Sequence, residues 1–304
     1  MSLLVYCLVY PLLWGISRLP FPVLYGLSDL LYFWLYRVFG YRKKVVAQNL
    51  ALAFPNKSEA ERKELEKTFY KHLCDVFLEM AKTMGISESE MDKRFFIEDM
   101  GPLKEMEEKG ISVILHGAHM ASWEWSMAIN RKLKFHQAFA IYKPLANPYF
   151  DGLAQKIRGK WGTTLISTSE TKQVVADNVK NSIPSIYGML SDQSPMPIKS
   201  DYWRRFLGIP VPVHTGAEKL ARKWDLPMIY LDVKKVKRGH YSVRMEMLVE
   251  HSKETKRFEI TDTYLDRVER AIAEQPEFYL WTHKRFKHRH KDPKDYQAFS
   301  REDL

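Results

Sequence analysis

The chain has 304 residues, of which 45% are hydrophobic, 13% aromatic and 28% charged. This balance is too apolar for a disordered chain and too charged for a protein with many membrane spans, so we expect a globular protein. The two cysteines, Cys7 and Cys74, lack CxxC spacing, which excludes a disulfide framework and a structural zinc site. The formal net charge of +10 favours an anionic partner, such as nucleic acid, an anionic membrane surface or an acidic protein.

The N-terminal segment indicates a membrane anchor. Residues 1–17 carry no charged side chain, and only Arg18, Asp29 and Arg37 interrupt the apolar sequence before residue 41. A spanning helix needs about 20 apolar residues, and this stretch is long enough but is broken by prolines, the first at Pro11. One tilted span, a re-entrant pair and an interfacial helix pair all fit, and we prefer a span or a re-entrant pair. A buried hairpin is the alternative without a membrane.

A basic cluster follows the apolar segment. Arg42, Lys43 and Lys44 come directly after it. A cleaved signal peptide would have Lys or Arg before its apolar stretch, and this segment has none, which disfavours that interpretation. By the positive-inside rule, this cluster keeps the residues that follow on the cytoplasmic side. We therefore predict two units, a membrane anchor over residues 1–40 and a larger domain over residues 41–304.

Hydrophobic patterns in the larger unit predict an α/β fold. Residues 45–82 alternate apolar and charged side chains at helical spacing. From about residue 111, short β-branched runs separate helix-like stretches, which is typical of a mixed, mostly parallel sheet flanked by helices. The period-two pattern over 241–250 predicts a half-exposed edge strand, and 262–273 predicts a last helix. The other predicted strands are 111–115, 138–142, 163–167, 185–190 and 228–233.

The best candidate for chemistry is a histidine and an acid just after the first of these strands. The chain lacks GxSxG, Walker, GxGxxG and HExxH motifs, which removes support for serine hydrolysis and nucleotide binding. Glu124 follows His119 by five residues, and five residues of a regular helix rotate the side-chain direction by about 140°. The two side chains therefore meet only if His119 lies in the turn before the helix. The carboxylate would then hold one ring nitrogen while the other takes a proton from an alcohol.

Spacing alone is weak evidence for such a pair. With 10 histidines and 37 acidic residues in the chain, chance predicts roughly one pair at this spacing. The second pair in the sequence, His290 and Asp295, lies in a charged tail with no strand before it, so we interpret it as a coincidence. For His119, a buried and hydrogen-bonded histidine is the plain alternative. His116 is the nearest rival base, but it has no acid at this spacing.

The residues around His119 resemble a known family. The stretch Gly117 to Glu124, Gly-Ala-His-Met-Ala-Ser-Trp-Glu, resembles the catalytic box of the bacterial lipid A biosynthesis acyltransferases, the late lauroyl and myristoyl transferases of the glycerolipid acyltransferase superfamily. Further blocks agree in the same order between residues 41 and 287, which is much more specific than any single block. These blocks are Tyr41-Arg42 with Asn49-Leu50, Phe54-Pro55 and Glu61-Arg62; Tyr142-Lys143-Pro144-Leu145 with Asn147-Pro148, Arg158 and Gly162; Ser191 to Pro195; Phe206-Leu207-Gly208 with Gly216; and Trp281 to Lys287.

The resemblance implies a glycerolipid acyltransferase-like fold and an enzyme. Its reaction would move an acyl chain from an acyl carrier protein thioester to a hydroxyl group of a lipid A precursor or related glycolipid, at the cytoplasmic face of the inner membrane. The resemblance implies that His119 is the general base and Glu124 its orienting acid. The implied partners are acyl carrier protein, the membrane and its lipid acceptor. No cofactor is implied, and no metal is expected, because the histidines do not cluster with cysteines or acids at ligand spacing.

Two departures from the family pattern leave the acceptor open. Ala121-Ser122 stands where the family often has Gly-Asn, and Tyr142-Lys143 stands where it often has Tyr-Arg. Lysine is a point charge without the bidentate fork of arginine, so recognition of a phosphate or carbonyl group there would differ. A lysophospholipid or an aminolipid is the alternative acceptor. A non-catalytic, basic membrane-binding protein is the alternative from another class, whereas the apolar N-terminus and the lack of a binding motif disfavour nucleic acid.

Four more residues are candidate substrate-binding groups. Attack on a thioester builds an oxyanion, so Arg158 and Lys143 are candidates to bind that charge or an acceptor phosphate, unless they are plain surface cations. Asp192 follows an apolar strand, where it would position a lysine, an arginine or the acceptor hydroxyl, and Gln193 lies beside it. Asp-Gln before Ser-Pro is equally a plain turn signal.

Overall fold

A mixed β-sheet forms the centre of the molecule. The computed structural model describes residues 2–291, so that Asp295 of the second histidine-acid pair lies outside the described residues. The strands are β1 (Phe95–Asp99), β2 (Val113–Gly117), β3 (Gln137–Tyr142), β4 (Thr164–Ser167), β5 (Ser185–Leu190), β6 (Trp203–Phe206), β7 (Ile209–Pro212), β8 (Met228–Lys237) and β9 (His240–Val249).

Seven of these strands form one sheet in the order β1-β9-β8-β2-β5-β3-β4, and β6 and β7 form a separate antiparallel hairpin. All neighbours in the large sheet are parallel except β8 and β9, which form an antiparallel hairpin. Strands β2 and β5 lie in the middle, where side chains are covered on both faces, and this accounts for their continuous apolar sequences. The predicted α/β class with a mixed, mostly parallel sheet is confirmed.

Helices flank the sheet and account for the remaining apolar patterns. The predicted helical stretch 45–82 divides into two helices at Phe54-Pro55, and the last predicted helix lies within α10. The α-helices are α1 (Ser2–Arg18), α2 (Phe21–Tyr32), α3 (Lys43–Ala53), α4 (Glu59–Lys82), α5 (Glu88–Arg94), α6 (Gly101–Glu108), α7 (Pro148–Arg158), α8 (Thr171–Lys180), α9 (Gly216–Trp224) and α10 (Glu259–Glu274).

Helix α4 begins with a capping box. The Ser58 hydroxyl accepts a hydrogen bond from the Glu61 backbone N–H at 3.3 Å, and the Glu61 carboxylate accepts one from the Ser58 backbone N–H at 2.7 Å. This reciprocal pair satisfies two donors that a helix start otherwise leaves without partners. Glu61, part of the first block of the resemblance, therefore has a structural role in this chain.

The N-terminal segment folds as two consecutive helices that both pack on α4. Helix α1 ends at Arg18, and α2 begins after Pro20, which cannot donate a backbone hydrogen bond to a preceding turn. Leu24 of α2 is fully buried, and the Ser28 hydroxyl donates to Asp75 of α4 at 2.7 Å. Within residues 2–291, no helix has both the length and the apolar character that crossing a bilayer requires. The expected spanning helix is therefore not supported, and the unit boundary at residue 40 stays a prediction.

The strand over residues 240–249 is not an edge strand, and that prediction was wrong. Strand β1 pairs with β9 in parallel on the side away from β8, with Phe95 opposite Tyr241. Tyr241 and Val243 of β9 are fully buried. Strand β1 has only five residues and follows directly on α5 without a turn signal, so the periodicity of the sequence did not mark it.

Candidate active site

Two neighbouring parallel strands end at the same edge of the sheet and present His119 and Asp192. Strands β2 and β5 pair with Gly117 opposite Leu190, and each candidate residue follows the end of its strand by two positions. The carboxyl ends of parallel strands lie at one edge of a sheet, which is where α/β proteins place their ligand sites. The register of the two strands therefore brings residues 119 and 192 side by side.

His119 and Asp192 form a hydrogen-bonded pair. Nδ1 of His119 lies 2.8 Å from Oδ1 of Asp192, and the His119 backbone N–H donates to Oδ2 at 3.3 Å. The Asp192 side chain is 1% exposed and the His119 side chain 18% exposed. An ionised carboxylate at Nδ1 fixes the proton of the neutral imidazole on that nitrogen. The other nitrogen, Nε2, is then the basic one.

The two pKa values shift in opposite directions. Burial lowers the pKa of His119, but the charge of Asp192 and the hydrogen bond to it outweigh burial, so the pKa of His119 is raised above its usual 6.5. Burial raises the pKa of Asp192, but the charge of His119 and the hydrogen bonds outweigh it, so the pKa of Asp192 is lowered. A carboxylate that remains ionised beside a histidine makes that histidine a stronger base.

Gln193 lies against the basic nitrogen of His119. Its side-chain Nε2 is 3.2 Å from Nε2 of His119, so the amide donates to the lone pair that would accept a substrate proton. The ring of Trp123 lies beside the imidazole, with 5.6 Å between the ring centroids. A substrate hydroxyl that reached Nε2 would replace the Gln193 amide there.

Glu124 does not make the contact that we expected. Instead of holding a ring nitrogen of His119, its carboxylate accepts two hydrogen bonds from Arg158, from Nε at 2.8 Å and from Nη2 at 2.6 Å. The Glu124 side chain is 9% exposed, and this planar, two-bond arrangement suits a guanidinium. The carboxylate on His119 is that of Asp192, because a strand register fixes that contact whereas Glu124 lies in the 3₁₀-helix Trp123–Lys132 beyond the turn.

The turn between His119 and Glu124 is held by the C-terminal part of the chain. The Ala121 backbone N–H donates to the Phe278 carbonyl at 2.9 Å, and the Leu280 N–H donates to the His119 carbonyl at 3.1 Å. Ala121 has a φ of 46°, in the left-handed region that favours glycine. These backbone contacts from a distant segment fix the conformation that aims His119 at Asp192.

Two buried tyrosines that the sequence did not single out hold the strand ends together. The Tyr264 hydroxyl donates to the Gly117 carbonyl at 2.8 Å and accepts from the Ser191 N–H at 3.3 Å. The Tyr279 hydroxyl donates to the backbone carbonyl of Asp192 at 3.3 Å. Both tyrosines reach the site from segments far away in sequence, so no local pattern could have identified them.

A large open cavity begins at His119. It has a volume of about 1570 Å³, and its lining includes His119, Glu124, Lys143, Arg158 and Gln193. It therefore exceeds the volume of about 300–1,000 Å³ that is usual for small-molecule pockets, which leaves room for more than one substrate part. Asp192 lies behind His119, outside the lining, and Lys143 is an exposed cation at the cavity wall.

The walls of this cavity differ in chemistry. Apolar side chains from the central strands line one part, among them Leu115, Ile186 and Leu231. Exposed basic side chains line another part, including Lys172 and Lys223. Such a cavity suits an amphiphile with an apolar chain and an anionic group. Among residues 2–291 there is no group of three or more side chains of the metal-binding types that could hold an ion.

Comparison with known proteins identifies a family whose model matches most of the chain. A family model described as bacterial lipid A biosynthesis acyltransferase matches residues 1–288. The chain is 23% identical to the lipid A biosynthesis lauroyltransferase of Escherichia coli (strain K12) over 279 residues, which cover 91% of this chain and 89% of that protein. It is 25% identical to the lipid A biosynthesis palmitoleoyltransferase of the same organism over 282 residues, covering 91% and 89%. The lipid A biosynthesis myristoyltransferase of that organism is 25% identical over 266 residues, covering 84% and 78%.

Proposed function

This chain belongs to the bacterial lipid A biosynthesis acyltransferase family, and we propose that it moves a fatty acyl chain from an acyl carrier protein thioester to a hydroxyl group of a lipid A precursor or related glycolipid. The observation that carries the proposal is the His119–Asp192 pair at the wall of a cavity that is large and partly apolar. A base oriented by a buried carboxylate next to room for an acyl chain is what transfer to an alcohol requires.

In the proposed reaction, Nε2 of His119 takes the proton of the acceptor hydroxyl as its oxygen attacks the thioester carbonyl carbon. The carbonyl C=O becomes an oxyanion, and its collapse breaks the carbon–sulfur bond. The departing thiolate then takes the proton from Nε2, which leaves an ester and a free carrier thiol. Asp192 stabilises the imidazolium that exists between these proton transfers, because its ionised carboxylate lies on Nδ1.

In this proposal, Glu124 holds the Arg158 guanidinium at the wall of the cavity. Burial lowers the pKa of Arg158, but the hydrogen bonds and charge of Glu124 outweigh it, so the net shift is upward and the guanidinium keeps its charge. Both side chains line the cavity, so this cation is available to the oxyanion or to a phosphate of the acceptor. Lys143, exposed at the same wall, is the second candidate for the acceptor phosphate. The Gln193 amide, once the substrate hydroxyl has displaced it from Nε2 of His119, would hold that hydroxyl.

The protein is proposed to act at the cytoplasmic face of the inner membrane, attached through its two N-terminal helices. Three side chains of these helices and of the π-helix Phe33–Val38 that follows support attachment in the interface, since Leu8 is 70% exposed, Leu30 54% and Phe33 51%. Exposed apolar side chains are costly in water and favourable in the interfacial region of a bilayer. We further propose that the transfer requires no metal and no cofactor besides the thioester donor.

The test is acyl transfer by the purified full chain. Membranes with a lipid A precursor receive labelled acyl carrier protein thioester, and mass spectrometry identifies new acyl esters made by the wild type, His119→Ala and the control His251→Ala. His251 is exposed and lies outside the cavity lining. We expect the product with the wild type and the control only. An equal amount of product from His119→Ala would overturn the role of His119.

The same experiment separates the alternatives. A product whose mass matches an acylated lysophospholipid or aminolipid would replace the proposed acceptor. No product with either a carrier-protein or a coenzyme A thioester would favour a non-catalytic membrane-binding protein. A product that forms equally well with a chelator present is expected, and a loss of product that added metal restores would contradict the metal-free proposal.

A further inference from the structure

A second cavity lies beside α2. It has a volume of about 650 Å³ and shares no lining residue with the cavity at His119. Its walls come from α2, from α4, from the end of β8 with Arg238 after it, and from Phe278. The family motifs include none of these residues, and the proposed reaction does not use Lys71 or Lys237.

The charges in this cavity leave a positive excess. Arg238 forms ion pairs with Asp29 at 2.7 Å and with Asp75 at 2.8 Å, and Lys235 lies 3.6 Å from Asp75. These two carboxylates are therefore already occupied by two cations. Lys71 and Lys237 also line the cavity, are exposed, and form no ion pair within residues 2–291. Two lysines next to neutralised pairs attract an anion.

Apolar side chains stand beside these cations. Asp29 and Tyr32 of α2 line the cavity, and the residue after each of them, Leu30 and Phe33, is exposed. Consecutive residues of an α-helix are about 100° apart, so Leu30 lies next to the face of α2 that forms the cavity, and Phe33 begins the π-helix that continues α2. On the opposite wall, Val236 between the cavity lysines is 58% exposed. The anion that this cavity suits is thus one with an apolar part attached.

We propose that this second cavity binds the phosphate group of an anionic phospholipid of the membrane, held by Lys71 and Lys237. The proposal rests on the membrane attachment put forward above as part of the proposed function. A phosphate group accepts hydrogen bonds from several lysines at once, and its acyl chains would lie along Leu30, Phe33 and Val236. The site is separate from the acceptor site, so its occupant is a membrane lipid that is not consumed.

The test is binding of the full chain to vesicles of phosphatidylcholine with and without phosphatidylglycerol, measured by co-sedimentation at physiological salt. The variant is Lys71→Gln/Lys237→Gln, and the control is Lys180→Gln/Lys256→Gln, which removes the same charge from two exposed lysines outside both cavities. We expect phosphatidylglycerol to increase the affinity of the wild type and of the control. The cavity variant should lose about thirtyfold in affinity for these vesicles, as two surface lysines contribute.

The outcomes distinguish this inference from its premise. If the wild type binds neither kind of vesicle, the membrane attachment itself fails, and the inference with it. If it binds both kinds equally, or if both double variants lose affinity equally, attachment stands and the phosphate site is overturned. Glycerol 3-phosphate and inorganic phosphate serve as competitors of vesicle binding, and they show whether the cavity prefers a lipid or a soluble phosphate. We would then measure binding of each soluble phosphate without vesicles. If the wild type binds one as tightly as it binds vesicles and the cavity variant does not bind it, the lipid assignment is overturned in favour of a soluble phosphate.

Discussion

His119 and Asp192 lie 73 positions apart in sequence, yet Nδ1 of the first is 2.8 Å from Oδ1 of the second. The pair exists because β2 and β5 are parallel neighbours in register, and each side chain follows the end of its strand by two residues. The catalytic role proposed for His119 therefore depends on an acid from a different strand.

Asp192→Asn should reduce kcat by a factor of about 10²–10⁴, because the neutral amide neither fixes the proton on Nδ1 nor stabilises the imidazolium. KM should change little, since Asp192 lies outside the cavity lining. Steady-state kinetics with circular dichroism as a check of folding measure this effect. Asp177→Asn, an exposed position on α8, is the matched control and should leave kcat unchanged. A fully active Asp192→Asn enzyme would contradict the role of the pair.

The wild-type pH profile of kcat/KM should have an acid limb with a midpoint above pH 6.5. The base must be neutral, and Asp192 raises the pKa of His119 over its usual 6.5 against the opposing effect of burial. Activity is therefore full above that raised pKa and is lost as the pH falls through it. In Asp192→Asn, the charge that raises the pKa of His119 is gone and burial lowers that pKa, so the acid limb should move to lower pH. A flat wild-type profile between about pH 5 and 8 would be inconsistent with a histidine base.

Glu124→Gln should shift this acid limb less than Asp192→Asn does. Glu124 raises the pKa of His119 only through its charge at a distance, whereas Asp192 also forms a hydrogen bond. The direct partner of Glu124 is Arg158, so a double-mutant cycle with Arg158→Gln should give a coupling energy in kcat/KM of about 0.5–3 kcal/mol. An equal limb shift for both acid variants, with no coupling to Arg158, would return the orienting role to Glu124.

His72 should act as a positioning residue for the turn that contains Ala121. Burial and the charge of Lys235 keep the pKa of His72 well below its usual value, so the ring is neutral. Lys235 Nζ lies 3.1 Å from Nδ1, and Nε2–H donates to the Ala121 carbonyl at 3.2 Å. His72→Phe should lower kcat about tenfold with KM unchanged, a loss expected for one buried hydrogen bond.

A conservative replacement separates positioning from general destabilisation at His72. His72→Gln keeps a donor toward the Ala121 carbonyl and should recover most of the lost kcat. The melting temperatures of both variants provide the comparison. If kcat follows the melting temperature rather than the presence of the donor, His72 has only a structural role.

Glu79 should make the wild-type stability fall as the pH rises between about 4.5 and 7. It is fully buried and accepts hydrogen bonds from Tyr25 at 2.9 Å and Tyr241 at 2.8 Å. Burial and the charge of Asp75 raise its pKa from 4.5 to about 7. Because the folded pKa exceeds the unfolded one, the folded state binds the proton more tightly, and the stability gained at low pH is lost as Glu79 ionises.

The size of this effect is on the order of 3 kcal/mol for a shift of this magnitude. Glu79→Gln removes the titrating group and keeps its shape. Free energies of unfolding in urea at pH 4.5 and pH 8 should therefore show the wild type losing stability relative to the variant. A difference between the two proteins that is constant with pH would show that Glu79 ionises normally in the fold.

Local sequence determined the fold class, the family and the position of the histidine that we propose as the base. The alternation of β-branched runs and helical stretches specifies the elements, because side-chain periodicity is a property of a few neighbouring residues. His119 stands in a box of eight residues directly after β2, and the family model confirms the resemblance that this box suggested. These features need no long-range contact to be recognised.

The tertiary structure decided which acid meets that base. The sequence predicted Glu124 as this acid and Asp192 only as a substrate-binding residue. The pairing register of β2 and β5 instead places Asp192 at Nδ1, while Arg158 of α7 binds Glu124. The sequence pattern also did not predict the short strand β1, whose pairing makes β9 an interior strand. The apolar N-terminus required coordinates as well, since hydropathy measures the character of a segment and not whether its helices pack on α4. Contacts between distant segments depend on packing and strand register, and neither can be derived from the local pattern of a single sequence.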